Sequence, residues 1–112
     1  MACFLCFQII QGLKHCHSRD ILHRDIKLDN IFLGNNFETK IGDFGVSKIL
    51  KPNQIIYEQC GTPAYIAPEI IKGEGYGSCK PDIWNLGILL YAMVTGTVPF
   101  RSNSIETLHK LI

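Results

Sequence analysis

The chain has 112 residues, 46% of them hydrophobic and 19% charged, with a formal net charge of +1. That length fits one small domain, and that composition excludes a disordered or collagen-like chain. No basic block runs through it, so neither nucleic acid nor an anionic membrane surface is expected as a partner.

Residues 2–18 place Leu5, Ile9, Leu13 and Cys16 at helical spacing with Phe4 beside them. This predicts a helix whose other side carries Gln8, Gln11 and Lys14. Its apolar start lacks a basic flank and a small-residue cleavage site, so no signal peptide is expected. Ser18-Arg19-Asp20 ends the helix, and Ile21-Leu22 leads into the polar run that begins at His23. Residues 30–33 and 39–42 read as short strands joined through Gly34-Asn35-Asn36. Residues 43–69 show no sustained period and contain Gly45, Pro52, Gly61, Pro63 and Pro68, which predicts a long ordered loop. Loops of that length inside compact domains are usually functional.

Ile70-Ile71-Lys72 suits a short helix before a Gly-rich link at 73–77. The strongest helix is expected over 82–95, started by Pro81-Asp82 and closed by Gly96. Its apolar core, Ile83 to Val94, is too short to span a bilayer and reads as a buried helix. Asn103-Ser104-Ile105-Glu106 has capping-box character ahead of a final helix through Leu108 and Leu111.

The five cysteines (Cys3, Cys6, Cys16, Cys60, Cys79) are odd in number and scattered. They suggest reduced thiols inside a cell rather than a disulfide framework. Cys3 and Cys6 with His15 and His17 could be drawn as a zinc site. The second cysteine pair is missing and the Cys-to-His gap is short for a zinc finger, so packing on the helix is the preferred reading.

The chemistry concentrates in His23-Arg24-Asp25-Ile26-Lys27-Leu28-Asp29-Asn30 and, shortly after, Asp43-Phe44-Gly45. Phosphoryl transfer needs a carboxylate to orient a hydroxyl and take its proton, a cation near the moving phosphate, and oxygen ligands for magnesium. Asp25, Lys27, Asn30 and Asp43 supply that set. Taken singly, each has a plainer reading. Asp25 and Asp43 would be solvated carboxylates, His23 a structural histidine and Phe32 a core residue. Asp82 and Trp84 would be a helix cap and a core aromatic.

In order, however, the first run matches the catalytic-loop pattern of protein kinases, Asp43-Phe44-Gly45 follows, and Ala67-Pro68-Glu69 comes third. On these three signatures the chain resembles a eukaryotic protein kinase over essentially its whole length. The resemblance implies part of a kinase fold, the mainly α-helical large C-terminal lobe with short β-hairpins around the catalytic and Asp-Phe-Gly loops. Residues 1–112 would then be a partial kinase domain with a catalytic loop at 23–30, an activation segment at 43–69 and a buried helix at about 82–95. It further implies ATP and Mg2+ as cofactors, with Asp25 as catalytic base and Lys27 at the γ-phosphate. Asn30 and Asp43 would hold the metal, Phe32 would floor the adenine site, and His23 and Phe44 would stack in a regulatory spine. Asp82 would anchor the catalytic-loop backbone; Asn85 stands where the family often has serine.

Lys27 and the stretch from Gly61 to Glu69 look like the serine/threonine type, with Thr62 bridging Asp25 and Lys27. Cys60-Gly61-Thr62-Pro63 and the region after Asp82 look most like the calcium/calmodulin-dependent and AMP-activated group. Asp29 is similar to the acidic residue that reads a basic side chain upstream of the target hydroxyl; an exposed loop carboxylate is the alternative. In the family, an arginine at the Arg24 position grips an activation-loop phosphate, and Lys48 sits where a second basic contact is common. Residues 48–61 contain no serine or threonine, and Glu58 occupies the position of the usual phosphothreonine. Glu58 is therefore expected to substitute partly for that phosphate. A solvated glutamate is the plainer alternative, and Tyr57 is a second candidate for modification.

Residues 1–112 contain no Gly-rich phosphate loop, no strand lysine of the Val-Ala-Ile-Lys type and no later arginine placed to pair with Glu69. The Lys–Glu pair of active kinases is therefore absent from this stretch. The expectation is an intracellular kinase, cytoplasmic or nuclear, acting on protein serine and threonine. By itself this stretch is expected to be inactive without a small lobe or partner chain. A non-catalytic binding module and a non-functional gene fragment are the alternatives.

Overall fold

Helix α1 (Ala2–His17) and helix α3 (Lys80–Thr95) form the centre of the computed structural model, which describes residues 1–112. Ile9 and Leu13 from α1 meet Ile88 and Leu89 from α3, with Ile26 and Tyr65 completing a buried cluster. Burying one such side chain contributes about 1.5–3 kcal/mol, so this cluster is the main source of cohesion between the two helices. Basic Lys14 in the last turn of α1 opposes the negative end of its dipole.

The sheets are small. Strand β1 (Ile21–Leu22) pairs antiparallel with β4 (Lys48–Ile49), Ile21 opposite Ile49. Strand β2 (Ile31–Leu33) pairs antiparallel with β3 (Thr39–Ile41), Ile31 opposite Ile41. The β2–β3 hairpin lies on α1, and Gly12 makes the approach possible: a Cβ there would sit 3.0 Å from the tip of Ile41. Gln8, expected to face solvent, instead serves the hairpin. Its amide nitrogen donates to the Phe37 carbonyl (3.0 Å) and its oxygen accepts from the Thr39 amide (2.9 Å). The backbone groups of the hairpin end need partners, and a side chain from the neighbouring helix provides them.

Segment 43–69 is less irregular than its sequence suggests. It contains β4, a 3-10 turn at Pro63–Tyr65, and an antiparallel bridge between Ile56 and Tyr76. Under that bridge lies a second buried cluster of Leu22, Ile56, Ala67, Ile70 and Tyr76. Helix α2 (Pro68–Ile71) starts on Pro68, ahead of the expected Ile70.

Helix α3 begins at Lys80, two residues before the expected start, because Pro81 fits the first turn, where its missing N–H costs nothing. Gly96 closes it in a left-handed conformation at φ +79. Helix α4 (Ile105–Leu111) is capped by Ser104, whose side chain accepts from the Thr107 amide. The cap thus falls one residue after Asn103, and Glu106 pairs with Lys110 across one helical turn instead of reaching back to the backbone. Cys6 is buried as expected, but Cys3 is exposed. No helix is long and apolar enough to cross a membrane.

Candidate active site

The site is assembled on Asp82, in the first turn of α3 and fully buried. Its Oδ2 accepts from the backbone N–H of His23 at 2.9 Å, and its Oδ1 accepts from the N–H of Arg24 at 2.8 Å. His17, at the end of α1, approaches Oδ2 through Nε2 at 2.8 Å. One carboxylate thereby ties two helices to the loop that carries Asp25.

Arg24 holds a left-handed backbone (φ +70), uncommon for a residue with a side chain. The turn sends neighbouring side chains to different places. His23 is buried; its Nε2 donates to the Gly42 carbonyl (2.8 Å) while its Nδ1 accepts from the Asp25 amide (3.2 Å). Those two bonds place the ring proton on Nε2. The Phe44 ring meets the imidazole edge-on, centroids 4.7 Å apart.

Asp25, Lys27 and Thr62 form a short chain. The Lys27 ammonium donates to the Thr62 hydroxyl at 2.8 Å, and that hydroxyl donates to Asp25 Oδ1 at 2.9 Å. An ammonium has no lone pair to offer, so the hydroxyl proton is directed at the carboxylate. Lys27 also lies 3.8 Å from Asp25 Oδ2. Asn30 is buried, and its amide nitrogen donates to the Asp25 carbonyl (2.8 Å) and to Asp25 Oδ2 (3.3 Å). A 3-10 turn at Leu28–Asn30 brings residue 30 back under residue 25.

The Gly42 amide donates to the Asn30 carbonyl (2.9 Å), which sets Asp43 at the same end of the β2–β3 hairpin as Asn30. Asp43 is itself left-handed (φ +53) and exposed, with Oδ1 accepting from the Gly45 amide at 3.2 Å. Phe32 is exposed on β2 and lies across Gly42, where any side chain would run into its ring. Asp29 is exposed beside Asn30.

A second polar cluster adjoins the first. Arg24 reaches segment 43–69 through Nε to the Val46 carbonyl (2.5 Å) and through Nη1 to Glu58 Oε2 (2.9 Å). Lys48 approaches the same Glu58 oxygen at 3.4 Å. Hydrogen bonding to Arg24 and its charge, followed by Lys48, hold the Glu58 carboxyl below the ordinary value. Burial pulls the Arg24 guanidinium down, but hydrogen bonds to Glu58 and Tyr76 outweigh it and leave it above the usual range.

Glu69, for which no later arginine was placed as partner, is half-buried on an apolar groove with Lys80, Trp84 and Phe100 and forms no ion pair. Water reaches the carboxylate, so the penalty of an unpaired buried charge does not apply. Arg101 turns to the Thr97 hydroxyl at 3.1 Å. Asn85 donates to the Tyr65 carbonyl at 2.5 Å, tying α3 to the turn that follows Thr62.

Tyr76 and His17 escaped sequence reasoning. Both contact the site across more than fifty residues of chain, and no local pattern marks them.

The protein kinase domain family model matches residues 1–112. The chain is 42% identical over 110 residues to CBL-interacting serine/threonine-protein kinase 5 of Arabidopsis thaliana, covering 94% of this chain and 24% of that protein. It is 44% identical to the cell cycle serine/threonine-protein kinase CDC5/MSD2 of Saccharomyces cerevisiae, covering 97% of this chain and 16% of the relative. The mitosis inducer protein kinase cdr2 of Schizosaccharomyces pombe is 42% identical over 91% of this chain and 13% of its own length. The chain therefore belongs to the protein kinase domain family, within its serine/threonine branch, and spans a quarter or less of each of these relatives.

Proposed function

We propose that the chain carries the catalytic part of a serine/threonine protein kinase that transfers the γ-phosphoryl group of ATP to a protein hydroxyl. In this reading residues 1–112 belong to the large C-terminal lobe, with 23–30 as catalytic loop and 43–69 as activation segment. The observation that carries it is the ordered chain from Lys27 through the Thr62 hydroxyl to Asp25.

The target hydroxyl docks against Asp25, which orients it and takes its proton as the oxygen attacks phosphorus. Thr62 and Asn30 fix the carboxylate, and Lys27 places positive charge beside the phosphoryl group in transit. Magnesium, when bound, neutralises the phosphate oxygens. The residues present fit it. The Asn30 amide nitrogen is spent on Asp25, which leaves its oxygen as the available donor, and the Asp43 carboxylate is exposed. Two hard oxygen donors suit an ion that keeps waters and phosphates as its other ligands. In the same reading Phe32 floors the adenine, and Asp29 reads a basic side chain upstream of the target.

Radiolabel transfer from ATP to a serine-containing protein substrate tests the reading in the intact protein. Asp25→Asn should retain the fold and lose at least about 100-fold in rate, the low end for a positioned base. An Asp25→Asn protein as active as the parent overturns it.

A further inference from the structure

The hairpin leaves one amide of β3 without a partner on β2. Bonded pairs alternate along an antiparallel ladder. The Gly34 amide donates to the Glu38 carbonyl (2.8 Å) and the Gly42 amide to the Asn30 carbonyl (2.9 Å), so the Leu33–Thr39 pair falls at a non-bonded position and the Thr39 N–H faces the outer edge. Gln8 of α1 fills that edge. Its side-chain oxygen accepts from the Thr39 amide (2.9 Å), and its nitrogen donates to the Phe37 carbonyl (3.0 Å). One helical turn on, Gly12 meets Ile41, two residues further along β3. Four residues advance about 6 Å along a helix and two advance about 6.8 Å along an antiparallel strand. The two contacts keep step, so together they fix where β3 lies along α1. A slip of one residue would carry Asp43 about 3.4 Å.

Strand β2 begins directly after Asn30, and β3 runs directly into Gly42 and Asp43. The other end of α1 holds the loop at 23–30, through His17 on Asp82. Helix α1 is thus a common base for the two oxygen donors and for Asp25.

We propose that Gln8 is a positioning residue for the metal site, which by pinning β3 to α1 sets the Asp43 carboxylate against the side-chain oxygen of Asn30. The chain from Lys27 through Thr62 to Asp25 does not pass through the hairpin, so Gln8 governs the binding of Mg-ATP and not turnover. Its effect on transfer rests on the phosphoryl-transfer reading; its effect on the hairpin does not.

Gln8→Met keeps the length of the side chain and removes both bonds. In the intact protein, hydrogen exchange of amides 39–45 should speed about fivefold, the value of one hydrogen bond, while the His23 and Arg24 amides keep their protection. Mn2+ titrated in the presence of ADP and followed by water-proton relaxation should bind more weakly by a similar factor. In transfer assays KM for Mg-ATP should rise with kcat unchanged. Gln8→Glu keeps the acceptor for Thr39 and loses the donor to Phe37, so it should recover part of each loss. Gln11→Met, on the exposed side of the same helix, should change nothing. Parent-like exchange and Mn2+ binding in Gln8→Met overturn the proposal. So does Gln8→Glu binding Mn2+ no more tightly than Gln8→Met, or a fall in kcat that matches the fall in kcat/KM. Where Gln8→Met fails to fold, Gln8→Glu alone decides, by whether its Mn2+ binding weakens. Faster exchange and weaker Mn2+ binding in a protein with no transfer activity keep Gln8 in this role and remove the kinase reading.

Discussion

Removing the Asp82 carboxylate should loosen the loop at 23–30 more than any other single side-chain change outside it. In Asp82→Ala the buried backbone N–H groups of His23 and Arg24 lose their acceptors, now 2.9 and 2.8 Å away. An unsatisfied buried donor costs about 1–3 kcal/mol, so the pair costs about 2–6 kcal/mol. His17 loses a partner as well, but its side chain is 17% exposed and rehydrates, so it adds little. Arg24 aggravates the effect: its left-handed backbone is strained and persists only while surrounding bonds hold it. Against a typical total of about 5–15 kcal/mol, the loss should be visible both globally and locally. Urea denaturation of the intact protein gives the first, and hydrogen exchange at the His23 and Arg24 amides gives the second. Asp82→Asn, which keeps one acceptor oxygen, should fall between parent and alanine variant. If Asp82→Ala stays within about 0.5 kcal/mol of the parent, the range of an ordinary surface change, the carboxylate is not the anchor.

Gly61→Ala should destabilise markedly, since Gly61 has φ +115 and a Cβ there would lie 2.9 Å from the Arg24 carbonyl oxygen. Gly96→Ala, with φ +79 and open space around it, should cost only the backbone strain of about 1–3 kcal/mol; thermal unfolding of the two variants checks the difference. Glu58 predicts an acid-sensitive segment. Its folded pKa lies below its ordinary 4.5, so its contribution is complete above 4.5 and is lost as pH falls through the depressed folded value. Limited proteolysis of segment 43–69 by an acid-active protease should show cleavage rising over that window in the parent and a flatter profile in Glu58→Gln.

The legibility of this fold divides by the range of its contacts. The long helices announce themselves because each buries a stripe at helical spacing, as Ile9 and Leu13 do on α1. Asp25, Lys27 and Asn30 come together within one loop, so their spacing already fixes much of their relationship. The pairing of β1 with β4 could not be read, because two-residue strands carry no period. The same holds for the Ile56–Tyr76 bridge, which turns an irregular stretch into a framework for Glu58. Gln8 misled for a related reason: polarity marks a side chain that wants partners but does not say whether water or backbone supplies them.

The reversal at Arg24 has a consequence for how the chain can change. Three successive residues make three separate connections: His23 to the hairpin end at Gly42, and Arg24 and Asp25 to two points of segment 43–69, at Glu58 and at the Thr62 hydroxyl. The left-handed backbone at Arg24, φ +70, lies outside both helix and strand and sets these three directions. The tripeptide therefore works as a junction with no slack. Inserting or deleting one residue between His23 and Asp25 would put these connections out of register, whereas the loops at 34–38 and 50–54 lie outside the tripeptide.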